Sequence, residues 1–496
     1  MDSPTFLDRH AEVLLSRIIP RPHTFSLVSA SLYRLEEGCV LLLTIPPGCD
    51  EAARRMIEEE SREYWGIQPA TSVSTSACTL PAEGYRIECS TDVLRITVSG
   101  LAGLRHALRT LRQLAEPERG VLKYTHYVLP CVRIEDAPAS SFRGIHLCWF
   151  PETPAWEMEK QIRLAAYYKF NYVVIESWGV LQFASHPECG WQEKSVTPEE
   201  FRRLVRLGKA LGVVLIPQLN IFGHASGARC GSGKHMLLDF HPEYQSLFEP
   251  DGWSWCISNP ATRAYLTDLI REMLDIFDHP PYFHIGCDEA YNAGLCASCR
   301  DQDYGVILKE YICHFRDLLA AEGARAMMWH DMLLDQADPR WRGYVVSGDM
   351  RTEALYRELP RDILICYWQY GYPGTDGQPP AWEPVLFLRD TGFDVLVCPW
   401  VDRRTTQSYG NLVASERLAG MLATTWNINH SKNMYSIFYE AANAIWNPSG
   451  QAAADIVTRE YFNHHVRQIG WDMKVTHYEQ TGSAQHQINP HDHEHP

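Results

Sequence analysis

Hydrophobic and polar residues follow two different rhythms along this chain. Between about residues 21 and 133, short apolar runs alternate with polar residues at period two, as in Tyr85–Cys89 and 93–98. Leu101–Leu114 then carries leucines at helical spacing. The pattern predicts a small sheet covered by a helix. No cluster of polar residues indicates chemistry in this region.

From residue 142 onward, short apolar runs are separated by stretches long enough for helices, for example 155–168, 198–211 and 259–277. The eight runs are 142–150, 171–177, 213–220, 282–289, 325–332, 363–370, 393–400 and 420–426. Parallel strands buried on both faces form such nearly continuous apolar runs. The pattern therefore predicts a (β/α)8 TIM barrel, whose chemistry lies at the C-terminal ends of the strands.

The predicted fold class is thus α/β, with a small α/β sandwich domain before the barrel. We place the small domain, without a catalytic role, at residues 1–135 and the catalytic barrel at residues 136–475. Residues 476–496 are polar and lack an apolar period, so they are predicted to be a disordered tail.

Polar and aromatic residues stand at the predicted strand ends. The third strand ends at Asn220 with His224 just beyond it, and the fourth ends in the acid pair Asp288 and Glu289. At a strand end the alternation of side chains relaxes, so both acids can reach one pocket with separate roles. Strands five to eight end near four tryptophans, whose flat faces suit the C–H face of a sugar: Trp329, Trp368, Trp400 and Trp426.

Composition and charge narrow the possible partners. The formal net charge of −16 disfavours nucleic acid, and no basic stripe offsets it. The first ten residues lack a basic region and a long apolar core, so we expect a cytoplasmic protein without a membrane partner. An odd count of 15 cysteines is typical of reduced thiols. We expect a small carbohydrate substrate, no cofactor, and a monomer or homodimer.

The segment from His284 to Glu289 resembles the His-x-Gly-Gly-Asp-Glu motif of glycoside hydrolase family 20, the β-N-acetylhexosaminidases, with Cys287 in place of the second Gly. Phe142-Arg143-Gly144 resembles the family's first-strand motif, and the run from Pro217 to His224 is similar to its Pro-Glu-Ile-Asp-Met-Pro-Gly-His. The resemblance spans the chain up to about residue 447.

The resemblance implies retaining hydrolysis in which the substrate's 2-acetamido oxygen is the nucleophile and an oxazolinium intermediate forms. Glu289 is then the general acid and later the base, and Asp288 orients the acetamido group, with His224 acting on the acid. Arg143 and Asp402 are implied to bind sugar hydroxyls. Trp400 stands where the family has a tyrosine that bonds the acetamido oxygen, and its indole N–H is a possible substitute. The other tryptophans correspond to the box around the acetamido methyl group: Trp329, Trp368 and Trp426.

Several positions depart from the family pattern. Glu176 stands where the family has a His and an Asp-Asp pair, and Gln218 and Asn220 replace carboxylates. Less negative charge then acts through His224 on Glu289, and we expect Glu176 to be the substitute partner and part of the substrate site. Ile428 replaces a glutamate that reads the outer hydroxyls, so the preference between gluco and galacto epimers is left open.

Two alternatives to an acetamido-specific hydrolase remain. One is a barrel glycosidase for a β-glycoside without the acetamido group, and the other is a sugar-binding protein with impaired turnover. Cys296-Ala-Ser-Cys299 also leaves two interpretations open. We favour free thiols and no metal, because a zinc ion would need further ligands such as Cys230 or His235.

Overall fold

The structure is a computed structural model, and it describes residues 6–118, 127–191, 193–226, 234, 236–352, 354–373, 380–426 and 432–450. The chain divides into two compact units. In the described residues, the first unit comprises positions up to 141 together with 167–169 and 442–450, and the second comprises 142–166 and 170–441. The predicted boundary after residue 135 thus lies a few residues early, and the predicted tail lies outside the described residues.

The first unit is one mixed sheet with helices packed on it. Its strands are β1 (Thr24–Leu35), β2 (Val40–Ile45), β3 (Ala70–Thr75), β4 (Tyr85–Cys89), β5 (Leu94–Val98), β6 (Glu116–Pro117) and β7 (Tyr127–Asp136). Its helices are α1 (Phe6–Leu15), α2 (Asp50–Trp65) and α3 (Leu101–Leu114). The strand order is β1-β7-β4-β5-β2-β3, with β6 paired to β7. The predicted hairpin is confirmed as the antiparallel pair β4 and β5, and the predicted helix as α3.

Contacts of Asp136, at the end of β7, explain why residues 167–169 and 442–450 belong to the first unit. Its buried carboxylate accepts hydrogen bonds from the Tyr85 hydroxyl at 2.7 Å and from the Trp446 indole at 2.9 Å. The buried ammonium of Lys169 lies 3.7 Å from it. Burial alone would raise the pKa of Asp136, but these partners and His23 lower it. A buried charge requires such pairing, so Lys169 and Trp446 are held in this unit.

The second unit is a closed parallel barrel with strand order β10-β11-β12-β13-β14-β15-β8-β9. Its strands are β8 (Phe142–Trp149), β9 (Tyr172–Ser177), β10 (Val214–Gln218), β11 (Tyr282–His284), β12 (Arg325–Trp329), β13 (Leu364–Trp368), β14 (Asp394–Cys398) and β15 (Gly420–Thr424). The helices are α4 (Ala155–Tyr167), α5 (Pro198–Leu211), α6 (Leu237–Phe240), α7 (Pro260–Ile276), α8 (Tyr304–Ala321), α9 (Leu355–Glu358), α10 (Glu383–Asp390), α11 (Arg403–Glu416) and α12 (Lys432–Trp446), whose last residues belong to the first unit. The predicted barrel fold is confirmed.

Local sequence signals set where these elements begin and end. Thr197 caps α5 by accepting the N–H of Glu200, and Gly212 ends the helix in a left-handed conformation. The chain then enters β10, whose last residue, Gln218, is in register with Glu176 of β9 and His284 of β11. Three neighbouring strands therefore end side by side at the C-terminal edge of the barrel.

Among the described residues, no helix combines the length and the hydropathy that a bilayer crossing requires.

Candidate functional site

The backbone after β11 brings two adjacent acids to the same place. The strand ends at His284, five residues earlier than the pattern predicts, because Gly286, Cys287 and Glu289 have φ of +69°, +74° and +45°. In a regular strand, neighbouring side chains point to opposite faces. These left-handed conformations break that alternation, so the side chains of Asp288 and Glu289 both reach the imidazole of His224. Cys287 thus adopts a conformation that favours glycine, the residue of the family motif.

His224 joins the two acids. Its Nε2 lies 3.2 Å from Asp288 Oδ2 and 3.2 Å from Glu289 Oε2. Burial lowers the pKa of the imidazole, but the charge of Asp288 and hydrogen bonds to both carboxylates raise it to about 9. His224 is therefore a cation at neutral pH, shared between the two acids.

Two glycines allow the close approach of these segments. A Cβ atom on Gly223 would overlap the carbonyl oxygen of Asp288, and one on Gly286 would overlap the side-chain amide of Asn220. Any larger residue at either position would separate His224 and Asn220 from the acid pair.

The two acids differ in exposure. The Asp288 side chain is 7% exposed, whereas that of Glu289 is 31% exposed. Asp288 accepts a hydrogen bond from Asn220 Nδ2 at 2.8 Å. Burial would raise the pKa of Asp288, but Lys234 and His224 hold it well below its usual value. Asp288 is thus a fixed anion, and Glu289 is the acid that faces solvent.

The backbone of Glu289 is held on both sides. Its N–H donates to Asp331 Oδ2 at 2.9 Å, and its carbonyl accepts the indole N–H of Trp253 at 2.6 Å. The Tyr291 hydroxyl donates to Glu289 Oε1 at 3.1 Å. These contacts fix an otherwise strained left-handed residue in one conformation.

Lys234 is the residue that sequence analysis missed. Its buried ammonium lies 2.6 Å from Glu176 Oε1 and 3.8 Å from Asp288 Oδ2. Burial opposes its charge, but Asp288 and Glu176 raise the pKa of Lys234. A single lysine among glycines gives no sequence signal, and only the fold brings it to the strand ends.

Glu176 reaches the acid pair through Lys234 and does not contact His224 directly. It also accepts hydrogen bonds from Gln218 Nε2 and, at 3.0 Å, from the Trp178 indole. Five side chains with alternating charges thus lie in a row, called here the charge chain. In order they are Glu176, Lys234, Asp288, His224 and Glu289. The carboxylate of Glu176 is buried, and no contact shows it reaching a substrate. Its substrate-binding role stays a prediction.

A metal ion at Glu176 is disfavoured by the charge chain. His146, Cys148 and Glu176 lie close enough together to hold one. The Lys234 ammonium already supplies the positive charge that a metal would bring to Glu176.

Asp331 is a second residue that sequence analysis missed, although it follows the end of β12 by only two positions. Its buried carboxylate accepts the Glu289 N–H and, at 3.2 Å, the Trp368 indole N–H. Burial and the nearby Asp288 charge raise the pKa of Asp331 to about 7. It links the backbone of the exposed acid to the aromatic residues of the next strand.

Tyr370 is the centre of the aromatic group at the mouth. Its ring stacks on Trp368 at 5.1 Å and contacts Trp400 at 5.4 Å and Trp426 at 6.3 Å. The Trp426 indole donates to the Tyr370 hydroxyl at 2.6 Å. Trp329 is fully buried and contacts Trp426 at 5.7 Å, so it supports this wall from inside the barrel. Three of the four predicted tryptophans thus surround a tyrosine that sequence analysis did not single out.

Two of the predicted substrate contacts have other roles. The indole N–H of Trp400 donates to the Thr425 carbonyl at 3.2 Å, so it is already engaged, and its bond to an acetamido oxygen stays a prediction. Asp402 caps α11 by accepting the Thr405 N–H at 2.8 Å. This cap explains an acid at position 402, and contact with a sugar stays a prediction.

Arg143, which the resemblance implies to bind sugar hydroxyls, lies far from the acid pair. Arg143 is the second residue of β8 and is fully buried, in register with Met421, the second residue of β15. Cys148, five residues later, is the position in register with Glu176. At about 3.3 Å per residue, Arg143 lies about 16 Å further down the strand. Ile428, Cys230 and His235 lie outside the described residues.

Curated relatives share part of this chain. β-Hexosaminidases from Akkermansia muciniphila and Vibrio furnissii are each 25% identical to it, over 59% and 55% of the chain. The chain covers 65% and 48% of their own lengths, less than two thirds in both cases.

Solved structures share the fold. An exo-β-N-acetylglucosaminidase from Vibrio harveyi, in complex with N-acetylglucosamine, superposes with a TM-score of 0.69 at 17% identity, covering 95% of this chain and 79% of that one. A β-N-acetylhexosaminidase from Bacteroides fragilis gives a TM-score of 0.64 at 17% identity, with 90% and 96% covered. At these identities the likeness concerns the fold alone.

The family models cover both units. The model of the glycosyl hydrolase family 20 catalytic domain matches residues 175–378. The model of domain 2 of the same family matches residues 15–137. With the acid pair and the barrel in place, the chain belongs to glycoside hydrolase family 20.

Proposed function

We propose that this protein is an exo-acting, retaining β-N-acetylhexosaminidase that releases terminal β-linked N-acetylglucosamine or N-acetylgalactosamine. The observation that carries the proposal is the acid pair: Asp288 and Glu289 share one nitrogen of His224 but differ in exposure. The names of the relatives from Akkermansia muciniphila and Vibrio furnissii, both β-hexosaminidases, support it.

The acid pair does not fit a mechanism in which an enzyme carboxylate attacks the sugar. That mechanism needs two carboxyl groups on opposite sides of the scissile bond. Here both carboxylates lie 3.2 Å from the same nitrogen, so they approach a substrate from one side. Asp288 is also buried against Asn220 and Lys234. We therefore assign the nucleophile to the substrate, as the carbonyl oxygen of its 2-acetamido group, which is the mechanism that the resemblance to the family implies.

The two acids then take separate roles. Glu289, the exposed acid, donates a proton to the leaving oxygen as the bond from that oxygen to the anomeric carbon breaks and the acetamido oxygen bonds to the same carbon. It next removes a proton from the water that opens the oxazolinium ring, which restores the acetamido group. Asp288 accepts a hydrogen bond from the acetamido N–H and stabilises the positive charge that develops there.

The surrounding residues keep these roles apart. Lys234 and His224 hold Asp288 ionised, because each cation favours its charged form. The aromatic group around Tyr370 faces the acetamido methyl and the sugar ring. Since the Trp400 N–H is engaged by the backbone, the Tyr370 hydroxyl is the donor that we assign to the acetamido oxygen.

A panel of nitrophenyl β-glycosides tests this function. We expect release from the N-acetylglucosaminide or N-acetylgalactosaminide, and at least about 10³-fold slower release from the glucoside and galactoside, because a neighbouring nucleophile reaches effective molarities of about 10⁵ M or more. A thiazoline mimic of the oxazolinium ring should inhibit competitively. Faster cleavage of the glucoside would favour a glycosidase without acetamido specificity. Binding of N-acetylglucosamine with no nitrophenol released would favour a sugar-binding protein.

Replacing Glu289 by Gln removes the proton donor without changing its shape. We expect kcat/KM for a disaccharide with a poor leaving group to fall by about 10²- to 10⁴-fold, and that for a nitrophenyl glycoside to fall much less, because a good leaving group needs little protonation. Glu310→Gln, an exposed position on α8, is the matched control and should leave both rates unchanged. Equal losses on both substrates would contradict the acid role of Glu289.

The pKa of His224 should respond in opposite directions to two substitutions. In the unmodified protein, NMR titration of labelled histidines, with His224→Gln for assignment, should give a pKa of about 9. Asp288→Asn should lower the pKa of His224 below its ordinary value, because burial lowers this pKa and fewer negative charges then oppose it. Lys234→Met should raise it, because the Lys234 charge opposes protonation of the imidazole.

If Lys234→Met leaves Glu176 unpaired and unfolds, Lys234→Met combined with Glu176→Gln keeps the charge balance and is measured in its place. Shifts of the same sign in the Asp288 and Lys234 variants would show that the charge chain does not set this pKa.

Replacing Tyr370 by Phe removes the hydroxyl and keeps the ring. We expect kcat/KM for the acetamido substrate and the affinity for the thiazoline to fall together by about 10- to 100-fold, the worth of one hydrogen bond to a group that becomes charged. Tyr372→Phe, whose ring contacts Trp382 at 6.5 Å, is the control and should change neither. An unchanged thiazoline inhibition constant in Tyr370→Phe would rule out this assignment.

A further inference from the structure

Three cysteines from two segments meet beside the acid pair. Cys256 Sγ lies 3.4 Å from Cys296 Sγ and 3.8 Å from Cys299 Sγ, and all three sulfurs lie within 4.8 Å of one another. Each is a free thiol. Sequence analysis singled out Cys296 and Cys299, and the third member, Cys256, is 40 residues from the nearer of them in sequence.

The spacing of the sulfurs matches that of ligands around one small metal ion. A disulfide would bring two sulfurs to about 2.05 Å. In a tetrahedral zinc site, Zn–S bonds of about 2.3 Å place neighbouring sulfurs about 3.8 Å apart. The two measured distances lie near the second value. Thiolates are also the ligands that select zinc over magnesium or calcium.

We propose that Cys256, Cys296 and Cys299 bind one Zn²⁺ ion as three thiolates in a structural site. Binding releases the three thiol protons, and no oxidant is involved. We assign the fourth position to an oxygen ligand, either the Ser258 hydroxyl, which lies 3.2 Å from Cys299 Sγ, or a water molecule.

The segments that carry the thiols are already held close together. The buried carboxylate of Glu249 accepts three backbone N–H groups, from Gly294 and Leu295 at 2.9 Å each and from Cys296 at 2.7 Å. The Cys256 N–H donates to the Leu247 carbonyl at 2.8 Å. The three sulfurs are thus positioned by the backbone before a metal arrives, which lowers the entropy cost of binding.

A metal ion here would cross-link the segment that carries Trp253 and Cys256 to the loop that follows Glu289. Trp253, three residues before Cys256, donates its indole N–H to the Glu289 carbonyl and packs on the His224 ring at 4.4 Å. Trp255 donates its indole N–H to the Asn220 carbonyl at 3.0 Å. The metal would therefore restrict movement of Trp253 and Trp255 relative to the loop that begins at Glu289.

Metal content and thiol substitutions test the proposal. We expect protein produced with zinc and purified under reducing conditions to keep about one Zn²⁺ per chain through gel filtration, measured by elemental analysis. Cys256→Ser, Cys296→Ser and Cys299→Ser should each lose it. Cys313→Ser, a half-buried thiol on α8, is the matched control and should retain it.

Cobalt gives an independent measurement if the serine variants fail to fold. Metal-free wild-type protein titrated with Co²⁺ should develop sulfur-to-metal charge-transfer absorption and the visible bands of a tetrahedral ion, saturating at one equivalent. Wild-type protein that retains no zinc and shows no thiolate–cobalt absorption would overturn the proposal. So would zinc content that is unchanged in all three serine variants. These results concern the metal alone, so their failure would leave the proposed glycosidase activity untouched.

Discussion

The candidate site depends on the pairing of charges that are buried away from water. Glu176, Lys234 and Asp288 are all buried, and a buried charge is tolerated only beside its opposite. The order Glu176, Lys234, Asp288, His224, Glu289 places a cation between each pair of neighbouring carboxylates. Removing one member leaves each of its neighbours with less charge compensation, so these residues act as one unit. Gln218 and Asn220, which replace carboxylates of the family pattern, add hydrogen bonds without adding negative charge.

The charge chain also explains why Asp288 and Glu289, which are neighbours in the sequence, differ in chemistry. Asp288 lies inside the chain with a cation on each side, so its ionised form is favoured. Glu289 is the terminal member, contacts one cation and remains partly exposed. The left-handed conformations of Gly286, Cys287 and Glu289 make this arrangement possible, and Asp331 and Trp253 hold the backbone of Glu289 from the two sides.

The sequence predicts the parts that depend on local pattern and misses those that depend on long-range geometry. The barrel, the helix Leu101–Leu114 and the meeting of His224 with Asp288 and Glu289 follow from apolar runs and strand ends. Lys234 belongs to no periodic segment, so its entry into the site has no local signal. The role implied for Arg143 does not suit its depth in the barrel, because a motif gives residue order but not depth along a strand. Tyr370 was overlooked because the sixth apolar run was predicted to continue to residue 370, whereas the strand ends at Trp368 and frees Tyr370 to turn toward the tryptophans.

Gly223 and Gly286 have a consequence for how relatives of this protein diverge. Neither can gain a side chain while the acid pair and Asn220 stay where they are. A substitution at either glycine is therefore tolerated only after compensating changes elsewhere. This requirement slows sequence change at these two positions. The polar residues around them, including Gln218, are free of this steric constraint. Lineages of this fold would thus be expected to vary the chemistry beside the acids while inheriting the two glycines unaltered.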